Sequence, residues 1–83
     1  IIYDTMEIKV LGTGCANCKA LYATVEKVVN ELGIQAEIIK EDDLMKIMEY
    51  NVMTLPALVI NGKVVAKGRI NAGEVKELIT SNQ

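Results

Sequence analysis

The side chains best suited to chemistry in this chain are its two cysteines, Cys15 and Cys18, spaced as Cys-Ala-Asn-Cys just after Gly12-Thr13-Gly14. The spacing predicts two thiols side by side at the start of a helix, near enough to bridge. Cys15 falls at the predicted helix N-terminus, where unpaired N–H groups and the helix dipole favour an anion and lower a thiol pKa from its free value of about 8.5. Cys18, one turn further in, is the sheltered member. That asymmetry assigns roles in thiol–disulfide exchange: Cys15 attacks as thiolate and Cys18 resolves the mixed disulfide. A purely structural bridge is the bland alternative. Closing so short a loop stabilises by only roughly 2 kcal/mol, against about 3 for fifteen residues, so the pair is a poor staple. A metal is the other rival. Two thiolates cannot complete a tetrahedral zinc site, but they could hold Cu(I), which accepts few soft ligands.

The rest of the composition narrows the field. The absence of histidine excludes Ser-His-Asp and Cys-His catalysis and nearly all zinc catalysis. A net charge of -2 with mixed signs and three scattered tyrosines argues against nucleic acid, which calls for a basic stripe or a stacking platform. The longest uncharged run, Tyr50 to Gly62, has 13 residues and contains Pro56, so it falls short of the roughly 20 that cross a membrane. With 83 residues, 51% hydrophobic and 24% charged, the chain predicts one globular domain over 1-83. Met6 is a candidate natural start, which would make residues 1-5 extra N-terminal sequence. No signal-peptide pattern is expected ahead of the fold.

The periodicity changes type along the chain, as in a mixed α/β domain. Glu7 to Leu11 reads as a strand, broken by Gly12, Thr13 and Gly14. Leu21, Val25, Val28, Val29 and Leu32 then form one stripe of a helix that Gly33 stops from the left-handed region. Gln35 to Lys40 is a second strand, completing a βαβ unit with parallel neighbours. Asp42 or Asp43 can cap a short helix carrying Leu44, Ile47 and Met48, ending near Tyr50 and Asn51. Ala57 to Ile60 and Lys63 to Ala66 flank Asn61-Gly62, a hairpin turn needing positive φ at both positions. Gly68 ends the hairpin, and Asn71 with Glu74 opens a last helix whose inner face is Val75, Leu78 and Ile79. The order is βαβαββα, with a mixed four-stranded sheet flanked by helices.

Two family resemblances divide the chain. Ile8-Lys9-Val10, Gly12, Cys15-Ala16-Asn17-Cys18 and the helix after them look like a heavy-metal-associated domain, although Thr13 stands where that family usually has Met. The later Thr54-Leu55-Pro56-Ala57-Leu58-Val59-Ile60-Asn61-Gly62-Lys63-Val64-Val65 with Gly68 resembles the C-terminal half of thioredoxins and glutaredoxins. Taken with Cys-Ala-Asn-Cys, that resemblance spans Met6 to Ile79, and its closest form is the small thioredoxin-like redox-active disulfide proteins of archaea and bacteria. It implies a thioredoxin-like fold and a thiol–disulfide oxidoreductase with Cys15 as nucleophile and Cys18 as resolving thiol. It also implies Pro56 as a cis-proline across from the disulfide and Leu55 offering backbone to a substrate strand. Gly14, Ala16 and Asn17 would border the same substrate site. The departures are Ala16-Asn17 in place of Gly-Pro, no evident counterpart in Ile8 to Leu11 of the buried thioredoxin aspartate, and Lys67-Gly68-Arg69-Ile70-Asn71 in place of a glutathione-binding segment.

On this reading no cofactor is expected beyond a Cys15–Cys18 redox disulfide, and no metal. The expected partners are disulfide-containing proteins and an upstream reductase, with no nucleic acid and no membrane, for a cytoplasmic monomer. A small copper-binding module or metallochaperone using the same thiolates is the alternative. Met45, Met48 and Met53 read as core filler or a hydrophobic rim near the site, Tyr22 as a packing residue, and Glu41-Asp42-Asp43 as a helix start favoured by the dipole.

Overall fold

The computed structural model describes residues 6–14, 16–68 and 70–82. Strand β1 (Met6–Leu11) leads into helix α1 (Ala16–Leu32), followed by β2 (Ala36–Glu41), the short α2 (Leu44–Met48), β3 (Ala57–Ile60), β4 (Lys63–Lys67) and α3 (Ala72–Ser81). The strands form one sheet in the order β2-β1-β3-β4. β1 and β2 run parallel, as the intervening helix requires, whereas β3 is antiparallel to both β1 and β4. The expected order and mixed sheet are what the chain adopts.

Alternation along β1 separates two apolar layers. Met6, Ile8 and Val10 face α1 and α3, where they pack with Leu21, Val25, Val28, Val29, Leu58, Ile60, Val75 and Ile79. On the opposite face Leu11, Ala57 and Val59 pack with Ile47 of α2 and Val52 of the segment after it. The stripe on α1 is buried as its spacing predicted from Leu21 to Val29, with Leu32 partly buried against the same core. Gly33 ends the helix at φ 64°, a value that glycine adopts without steric cost.

The turns follow their residue chemistry. Asn61 and Gly62 take φ 51° and 83°, as a two-residue hairpin with right-handed twist demands. Asn61 also ties the hairpin to β1: its amide oxygen accepts from Glu7 N–H at 2.9 Å and its own N–H donates to the Glu7 carbonyl at 2.7 Å. Asp43 caps α2 by accepting from Met45 N–H at 3.0 Å, and Asn71 caps α3 by accepting from Glu74 N–H at 2.9 Å.

One expectation is narrowed and one needs correction. Of the two readings of Met45, Met48 and Met53, core filler or a hydrophobic rim, the structure removes the first: they are 74%, 60% and 97% exposed, as Leu44 is at 57%. A helix of five residues makes little more than one turn, and only Ile47 of that turn points at the sheet. Glu41 is the last residue of β2 and not part of a helix start, and its Oε1 is buried without a hydrogen-bond partner among the described residues.

Candidate functional site

The site is built where β1 ends. Leu11 pairs with Ala57 in the antiparallel register of β1 and β3, so Gly12, which follows Leu11, and Pro56, which precedes Ala57, leave the same end of the sheet on neighbouring strands. Paired strands lie about 5 Å apart. Pro56 is buried, lacks an N–H with which to extend the ladder, and follows a cis peptide bond from Leu55. Its carbonyl accepts from Gly68 N–H at 2.6 Å. The start of β3 is thereby tied to the end of β4.

Gly12 N–H donates to the Glu41 carbonyl at 3.0 Å, fastening the end of β1 to β2. From there the chain turns through Gly14, at φ 88°, into α1. Cys18 lies in the first turn of that helix, 2% exposed and disulfide-bonded. It begins the run of buried residues on α1 that Leu21 and Val25 continue. The predicted shelter of Cys18 is observed. Cys15, the expected nucleophile, lies outside the described residues, as does Arg69.

The other expected site residues divide by exposure. Gly14, Ala16 and Asn17 are exposed on the loop and the first helical turn, while Leu55 is half-buried against the α2 layer. Asn17 lines an open groove of about 420 Å³ between α1 and α3, with Leu21, Thr24, Ile70, Asn71 and Glu74 among its walls. Among the described residues no three His, Cys, Asp or Glu side chains are grouped so as to hold a metal ion.

The residue pattern did not disclose two features. Lys9, on the α2 face of β1, donates from Nζ to the Tyr50 hydroxyl at 3.1 Å and lies 3.6 Å from Glu7 Oε1. The Tyr50 hydrogen bond, with smaller help from the charge of Glu7, holds the Lys9 ammonium above its ordinary pKa of 10.5 against the opposing cost of burial. Nothing in the spacing of Lys9 and Tyr50, 41 positions apart, signals this contact. The second feature is the close approach of Gly12 to Cys18, which the run Gly12-Thr13-Gly14 disguised as a simple strand breaker.

A four-stranded mixed sheet between helices thus carries a buried, disulfide-bonded cysteine at its first strand-to-helix turn. The chain matches the Thioredoxin domain family over residues 6–80 and belongs to it. It is 37% identical over 76 residues to a thioredoxin of Methanothermobacter thermautotrophicus, a match covering 90% of this chain and 99% of that one. It is 40% identical over 75 residues to a thioredoxin of Methanocaldococcus jannaschii, covering 89% and 86%. In fold it is similar to a mutant thioredoxin from Halobacterium salinarum, with a TM-score of 0.75 at 22% identity over 95% of this chain and 75% of that chain. The germline-specific thioredoxin Deadhead of Drosophila melanogaster superposes with a TM-score of 0.68 at 18% identity, covering 94% and 81%. The chain is a thiol–disulfide oxidoreductase, and nothing among the described residues or in these relatives favours the copper-module alternative.

Proposed function

We propose that Cys15 and Cys18 are the redox pair and that the chain exchanges electrons with disulfides of partner proteins. The Cys15 thiolate attacks one sulfur of the partner disulfide, forming a mixed disulfide and releasing the other partner sulfur as a thiolate that takes up a proton. Cys18 then gives up its proton and attacks Cys15, closing the Cys15–Cys18 disulfide and freeing the second partner thiol. Two electrons pass from the pair to the partner. The observation that carries this reading is the disulfide-bonded, buried Cys18 on the first turn of α1, lying against Gly12 at the sheet end from which Pro56 also departs.

Gly14, Ala16, Asn17, Leu55 and Pro56 form the rim against which the partner segment lies in this reading. Electrons reside in the cysteine pair itself, so no bound cofactor is required. An upstream reductase returns the pair to the dithiol, and a reducing cytoplasmic setting suits such a cycle. Among the described residues no helix is long and apolar enough to cross a membrane. In this reading the chain acts as one domain and as a monomer.

Single serine variants test the reading. Cys18→Ser retains the attacking thiol and loses the resolving one, so incubation with a disulfide-bearing protein such as insulin should accumulate a covalent adduct that dithiothreitol releases. Cys15→Ser should accumulate none. Adducts of equal yield in both variants, or in neither, would reject the assigned roles.

A further inference from the structure

We propose that Gly12 is a positioning residue for Cys18: its lack of a side chain lets the end of β1 lie directly against the sulfur and thereby sets the stability of the disulfide relative to the dithiol. The proposal rests on the reading that Cys18 cycles between these two states.

Gly12 is not glycine for the sake of its backbone. Gly14, Gly33, Gly62 and Gly68 all have positive φ, but Gly12 does not, so its conformation is open to any residue. The reason lies in space. A Cβ built on Gly12 would overlap Cys18 Sγ and stand 2.7 Å from Cys18 Cβ, both far inside the roughly 3.5–4.0 Å of ordinary carbon contacts. Neither neighbour is free to retreat. The end of β1 is fastened through Gly12 N–H to the Glu41 carbonyl, and α1 is fastened through the buried Leu21, Val25 and Val28 that continue the stripe from Cys18.

The two redox states respond differently to a methyl group at this position. In the dithiol, rotation about the Cys18 Cα–Cβ bond swings the sulfur away and leaves only the contact to Cβ to be relieved by a backbone shift. In the disulfide the sulfur is tied, and both contacts must be relieved at once. A side chain at position 12 therefore penalises the oxidised form more than the reduced one. Glycine at this position favours the disulfide, making the dithiol the better electron donor.

The test is equilibration in glutathione redox buffers, with alkylation and mass readout of Pro(SH)₂ + GSSG ⇌ Pro(S₂) + 2 GSH, where Pro stands for the protein. For Gly12→Ala the equilibrium constant for disulfide formation should fall at least tenfold, a shift of about 30 mV toward a more oxidising potential for a two-electron couple. Gly33→Ala, at the far end of α1 with φ 64° and open space around it, should lose stability in both redox forms and keep the wild-type constant within twofold. An unchanged constant in Gly12→Ala overturns the role of Gly12 while leaving the redox pair intact. The absence of any reversible two-electron transition in the wild type overturns the reading of the pair itself. Should Gly12→Ala not fold, the double variant Gly12→Ala/Cys18→Gly, which removes both Cys18 atoms from the contact, decides against Cys18→Gly alone: folding equal to that of Cys18→Gly supports a clash with the Cys18 side chain, and failure to recover refutes it.

Discussion

Ile47 carries the contact of α2 with the sheet, and truncating it measures how firmly the layer leading to Leu55 and Pro56 is held. It is 1% exposed and packs among Leu11, Val52, Ala57 and Val59, whereas its helix neighbours Leu44, Met45 and Met48 are more than half exposed. Removing a buried isoleucine to alanine costs about 2–5 kcal/mol, because the lost transfer energy is joined by the cavity left behind. Total stability for a domain of this length is roughly 4–12 kcal/mol at about 0.05–0.15 kcal/mol per residue. Ile47→Ala should thus consume at least about a sixth of the whole, and close to half at the middle of both ranges. At about 4–8 °C per kcal/mol, the oxidised protein should lose about 8–40 °C in Tm. The assay is thermal and urea unfolding of oxidised wild type, Ile47→Ala and Leu44→Ala, with the last expected within about 0.5 kcal/mol of wild type as an exposed substitution. The reasoning also predicts slower reduction of insulin by Ile47→Ala below its melting transition, since Val52 and Leu55 lose their packing partner. A cost below about 1 kcal/mol, or one equal to that of Leu44→Ala, would refute the claim that Ile47 anchors this layer.

Two further outcomes follow from local contacts. Asn71→Ala removes the acceptor for Glu74 N–H and should destabilise by about 1 kcal/mol in urea unfolding, with Asn71→Asp close to wild type, because a carboxylate caps as well as an amide; equal losses in both would reject the cap. The raised pKa of Lys9 means that its contribution is fully present below 10.5, the ordinary lysine value, and is lost as pH rises through the higher folded-state value. Wild-type stability should therefore fall more steeply than that of Lys9→Met between about pH 10 and 12, and parallel pH profiles would contradict the Lys9–Tyr50 interaction.

Much of this architecture was legible because local chemistry and global fold agree. The stripe on α1, the positive φ at Gly33, Asn61 and Gly62, and the caps at Asp43 and Asn71 are each dictated by nearby residues, and the structure contains them all. Whether Met45 and Met48 fill the core or stay exposed was not legible, because apolar composition does not reveal which side of a one-turn helix meets the sheet. The boundary at Glu41 was missed for a related reason: three consecutive acids look like a helix start until pairing with Leu11 extends β2. For the site, Cys-Ala-Asn-Cys and Thr-Leu-Pro stood out by spacing, but that Gly12 and Pro56 leave the same sheet end depends on the register of Leu11 with Ala57. The contact between Gly12 and Cys18 is tertiary, and no one-dimensional pattern distinguishes a glycine needed for space from one needed for a turn.

The central claim is that this chain passes two electrons from one cysteine pair to a protein disulfide. The most direct measurement mixes fully reduced chain, free of other reductant, with excess insulin and counts alkylatable thiols on both proteins by mass. One insulin disulfide should be opened per chain, with both chain thiols lost together and no transfer by either single serine variant beyond the trapped adduct of Cys18→Ser. Insulin reduction that persists in Cys15→Ser, or a wild-type chain that retains both thiols after mixing, would contradict it.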